Sequence, residues 1–140
     1  MSKVAYLKGK VKEYEAVGGV ALLMHLVHFC CDQRLGRELV RLGLHLLLAR
    51  ELRKPDEDLQ EAALAGLANL AMNKEVYDVV DLAEIEPFVH NPRIATRRSA
   101  LLLLYFHPGP TTLASLPMED QDSVCCNLLQ CIQLRRTDLL

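Results

Sequence analysis

The sequence contains no tryptophan, and aromatic residues make up only 5% of its 140 positions. Ring systems therefore contribute little to any core, and burial falls to aliphatic side chains. Residues branched at Cβ are sparse too, which excludes a mainly β fold, since Val, Ile and Thr are what a pleated sheet favours. No apolar run is long enough for a membrane span. The stretch from Val20 to Cys31 is interrupted by His25 and His28, and it falls short of the roughly 20 residues a bilayer requires. The net charge of -2 argues against a dedicated nucleic-acid binder, which would be basic.

Chemical signatures are missing as well. No P-loop, GxGxxG or GxSxG occurs, so neither a phosphate cradle nor a nucleophile elbow is expected. His25, His28, Cys30 and Cys31 are metal-ligand types, yet there is no CxxC or HExxH, and Cys125–Cys126 are adjacent. The acidic run Asp56, Glu57, Asp58 and Glu61 lacks EF-hand spacing and reads as helix capping. No catalytic residue, metal or cofactor is implied. The first residues do not read as a secretory leader. The cysteine count, five, is odd. Reduced thiols in a cytoplasmic or nuclear compartment are the expectation.

What is present is leucine and alanine in helical spacing. Hydrophobic residues reach 51%, which is too rich for disorder and enough for one domain over 1–140. Leu59, Ala63, Leu64, Leu67, Leu70 and Ala71 recur at three and four, predicting a helix over 56–72 that opens on a capping Asp56. Gly66 inside it marks a close helix approach. Asn91-Pro92 opens a second long helix over 92–106, ended by His107-Pro108-Gly109-Pro110. Helices are also expected over 33–42, 44–53, 74–82, 83–90 and about 117–134, with Gly43 a corner. The span 16–31 reads as a buried helix softened by Gly18 and Gly19. The first dozen residues fit either a basic amphipathic helix or a frayed arm.

The order short, medium, long recurs. Glu38 to Leu42 matches Asp78 to Leu82 at an offset of 40, and the long helices match near 36. A period of roughly 40 residues in three helices belongs to the armadillo/HEAT class. The segment from Arg37 to Val89 resembles an armadillo repeat: Gly43 at the corner, a Leu-rich second helix, and the third helix QEAALAGLANLA, Gln60 to Ala71. The resemblance implies an all-α, right-handed α-solenoid of about two three-helix repeats. These span 33–72 and a shortened 73–106, with flanking or capping helices at 1–32 and 111–140. It also implies a non-enzymatic scaffold or adaptor that binds a protein or peptide along a concave row of third helices. Asn69 stands where the family holds a peptide backbone, and Phe29 and Tyr105 stand at the equivalent register of the neighbouring long helices. Tyr105, with Arg97 and Arg98 on the same helix, completes the expected partner-binding set with Asn69.

Two other readings follow from charge and from the ends. Residues 1–54 carry a balance of +5, residues 55–90 of -8 and residues 91–140 of +1. Solvated helix faces account for this. It also allows a nucleic-acid-binding helical repeat using Lys3, Lys8, Lys10, Lys12, Arg34, Arg37 and Arg41. Cys125, Leu128, Leu129, Leu134, Leu139 and Leu140 make an apolar end, which suits a homo-oligomer joined through terminal helices.

Overall fold

The computed structural model describes residues 2–107. The expected helix over 117–134 and the apolar C-terminal end lie outside the described residues. Within them the chain is helical throughout, with no strand. The order is α1 (Lys3–Val17), α2 (Val20–Phe29), α3 (Gln33–Arg41), α4 (Leu44–Leu52), α5 (Glu57–Asn69), α6 (Glu75–Val79), α7 (Leu82–Ile85), a 3-10 turn (Glu86–His90) and α8 (Ile94–Tyr105).

Short polar residues start these helices by satisfying backbone N–H groups that have no partner within the helix. Ser2 accepts from the Ala5 N–H, Asp32 from those of Arg34 and Leu35, and Asp56 from those of Asp58 and Leu59. Asn91 accepts from the Arg93 N–H at 2.9 Å, but α8 begins at Ile94, two residues later than the Asn-Pro signal suggested. Gly43 turns the corner between α3 and α4 in the left-handed region, at φ +87°.

Two stretches differ from the expected helices. The span 16–31 is not one helix. Gly18 and Gly19 have φ of +74° and +104°, which breaks the chain between α1 and α2. Only glycine takes such angles without a Cβ clash. The first dozen residues belong to α1, so the helical alternative holds. The expected helix over 74–82 stops at Val79, because Val80 is extended and Asp81 starts a new turn whose carbonyl accepts from the Glu84 N–H. Pro87 then sits in the first turn of the 3-10 segment, where its missing N–H costs nothing.

Among the described residues helix α5 is central, packed against α2, α4 and α8. Its Leu64 and Leu67 have no exposure at all. Burying each contributes about 1.5–3 kcal/mol before ordering costs. The packing repeats along the chain: α1 lies on α2, α4 on α5, and α7 with the 3-10 turn on α8, while α3 packs on α1 as α6 packs on α4. The long helices α2, α5 and α8 are neighbours in that order. They run parallel. Asn69, at the C-terminal end of α5, touches Cys31, just past the end of α2, and Arg93, before α8, touches Asp58 in the first turn of α5.

Candidate functional site

Parallel, adjacent helices in one register bring their ends to one rim. Phe29, Asn69 and Tyr105 are each the last residue of α2, α5 and α8. Burial agrees with this register between α5 and α8, where Leu67 and Ala68 are buried as are Leu103 and Leu104; on α2 Val27 is buried but His28 is exposed.

The three residues differ in surroundings. Asn69 is half-buried, and its Nδ2 donates to Cys31 Sγ at 3.4 Å. Tyr105 is 47% exposed, with its ring edge-on to Phe106 at 5.1 Å between centroids. Phe29 is half-buried in an aromatic seam between α1 and α2. Its ring meets His25 at 5.1 Å and Tyr6 at 6.2 Å, both edge-on, and Lys3 Nζ lies 6.0 Å above it. The Tyr6 hydroxyl and His25 Nε2 share a hydrogen bond of 2.8 Å.

Arg98 lies seven residues before Tyr105, two turns back on the same face of α8, whereas Arg97 is turned toward the flank. Both are half-buried, and the Nε of each is enclosed without a hydrogen-bond partner among the described residues. Arg93 is otherwise engaged. It bonds Asp58 at 2.9 Å and lies 3.4 Å from Glu57 and 3.9 Å from Glu61. One cation just before α8 thus partly offsets the acidic start of α5.

The basic residues of the first third do not gather into one stripe. Lys10 pairs with Glu13 at 3.0 Å and lies over Tyr6, while Arg41 pairs with Glu38 at 2.8 Å. Arg37 donates to Asn73 Oδ1 at 3.3 Å. Lys8 and Lys12 lie one turn apart on α1, on the side away from Tyr6 and Lys10. Among the described residues no group of three or more His, Cys, Asp or Glu side chains could hold a metal ion. Burial, with neighbouring Cys31 adding to it, pushes the Cys30 thiol up to about 12, which removes it as a nucleophile.

The sequence reading missed one polar cluster. Glu51 is 1% exposed, yet it pairs with Arg50 at 3.0 Å and Lys54 at 2.9 Å and lines the same cleft as Tyr14. Burial acts to raise its carboxyl pKa, but the hydrogen bonds from Lys54 and Arg50 outweigh that and hold it below the usual range. Tyr14 moves up to about 12, by burial first and by the Glu51 charge second. A cleft of about 270 Å³ opens here between the Gly18–Gly19 break and the end of α4. The signal was available. Leu44, Leu47, Leu48 and Leu52 form the apolar stripe of α4, and Glu51 falls on it.

No protein-family model, curated protein or solved structure matches the chain. Among the described residues no helix is long and apolar enough to cross a membrane.

Proposed function

We propose that the chain is a non-enzymatic, armadillo-like scaffold that holds a protein or peptide partner along the row of its long helices. The observation that carries this reading is the parallel run of α2, α5 and α8. Each is backed by a preceding element, and they end on Phe29, Asn69 and Tyr105. Side-by-side repeats of this kind make extended binding surfaces. The row combines what such surfaces use: a tyrosine with area and a hydroxyl, an amide with paired donor and acceptor, and an arginine two turns back. The same reading sets the chain in a reducing compartment, cytoplasm or nucleus. The odd cysteine count and the free thiols of Cys30 and Cys31 support that placement.

The test compares wild type with the Asn69→Ala/Tyr105→Ala double variant as baits in crosslinked capture from cell lysate, with thermal unfolding run in parallel. The expected result is a partner recovered with wild type and lost with the variant, at a nearly unchanged thermal midpoint. Equal recovery by a folded variant rejects the row as the binding face. Unfolding of the variant shows that these residues are core.

A further inference from the structure

The strongest feature outside that row is the charge on the two short helices α3 and α6. Both pack on α4, and Arg37 of α3 donates to Asn73, two residues before α6, so they are neighbours along one side. They occupy matching places in the packing order. Their charges, however, are opposite. On α3 the exposed residues Arg34, Arg37 and Arg41 fall at spacings of three and four on one face. Of these only Arg41 has a carboxylate partner among the described residues, the exposed pair with Glu38. On and after α6, Glu75, Asp78 and Asp81 are exposed, and none is in an ion pair among the described residues. Glu75 and Asp78 flank His45 of α4, and Asp81 lies beside Arg53. Leu46, next to His45 on the helix that carries both, is 55% exposed.

A surface with a basic strip beside an acidic strip is complementary to itself after a half-turn. We infer that this side of the molecule docks a second copy of the chain about a two-fold axis. The α3 of each copy then lies over the α6 of the other, with Leu46 near the axis. A two-fold contact pairs residue i with j and j with i, so each such arginine–carboxylate contact occurs twice. Opposite potentials also steer the two copies into this register and oppose the one that sets α3 on α3. Exposed ion pairs are individually weak. The doubled set and the shared apolar residue are what give the contact its strength. The start of α3 adjoins the end of that row, since Asn69 bonds Cys31, but the proposed contact uses none of Phe29, Asn69 and Tyr105, so different substitutions test the two readings.

The experiment is light scattering coupled to size exclusion on the full chain, at low and high salt. Wild type is expected at dimer mass in low salt and to shift toward monomer as salt rises. Arg34→Glu/Arg37→Glu and, separately, Glu75→Lys/Asp78→Lys are each expected at monomer mass. An equimolar mixture of the two variants is expected to recover dimer mass, because each now complements the other. The chain carrying all four changes is expected to dimerise by itself, since both strips are reversed together; this also guards against a variant that loses the dimer by misfolding. Wild type at monomer mass in low salt overturns the proposal. So does a dimer that survives either pair of reversals, or one that fails to return in both the mixture and the fourfold variant.

Discussion

Gly66 of α5 and Leu48 of α4 lie so close that a Cβ on Gly66 would sit 2.8 Å from Leu48 Cδ1, with Val27 Cγ2 of α2 at 3.1 Å. The glycine is the point at which three helices converge. Gly66→Ala gains helix propensity but forces Leu48 or Val27 out of place, and Gly66→Leu does so further. The larger change is expected to cost on the order of 1–3 kcal/mol, measured by urea unfolding. A variant as stable as wild type would mean that Leu48 repacks freely.

Arg53 clamps the end of α4 to the α6–α7 turn. Its Nε and one Nη each reach a Glu84 oxygen at 3.0 Å, and that Nη also donates to the Val79 carbonyl at 2.9 Å. Lysine keeps the charge but not the planar fork. Because the pair is well exposed, Arg53→Lys is expected to cost only about 0.5–1 kcal/mol. A double-mutant cycle with Glu84→Gln reads the coupling directly, and a coupling of zero would reduce the clamp to a surface ornament.

Glu51 gives an acid-sensitive contribution. Its folded pKa lies below the unfolded value near 4.5, so its stabilisation is present above that value and is lost as pH falls through the folded pKa. Glu51→Gln is expected to lower stability at neutral pH by about 1 kcal/mol, since its two cationic partners are half-exposed. The variant's stability is also expected to fall less steeply than that of wild type between about pH 5 and pH 3. Chemical unfolding across that range checks both parts. Parallel acid limbs for the two proteins would assign the effect to other carboxylates.

His45 acts in a higher window. It is half-buried, and its Nδ1 is enclosed with no partner among the described residues. Burial lowers its pKa, while Glu75 and Asp78 pull the other way without cancelling it. A base whose folded pKa is below its unfolded value of 6.5 stabilises fully above that value, and the contribution is lost as pH falls from there toward the folded pKa. Wild-type stability is therefore expected to start declining just below that pH. His45→Gln should flatten this limb in urea titrations, and an unaltered limb would rule His45 out as its source.

Local signals made much of the fold readable. Asp56 and Asn91 announce helix starts because a short acceptor side chain needs only its own neighbours to work, and Asp32 carried the same signal unread. The stripe of α5 and the corner at Gly43 were legible for the same reason. The break at Gly18–Gly19 was not, since two glycines inside an apolar run fit either a weakened helix or a turn, and only packing against α5 decides. Glu51 was overlooked because a charge is assumed to face water, although its register set it among buried leucines. Asn69 was identified from its repeat position, but its contact with Cys31 joins residues 38 apart in sequence, which no local pattern encodes.

Because α2, α5 and α8 are parallel neighbours, their peptide dipoles add instead of cancelling. The stack therefore has an electrical polarity, with its positive pole at Gly19, Asp56 and Arg93 and its negative pole beyond Phe29, Asn69 and Tyr105. Side-by-side dipoles of one sense repel. The carboxylates of Glu57 and Asp58 at the positive pole, and the cations Lys3 and Arg37 near the negative one, offset that repulsion at both ends.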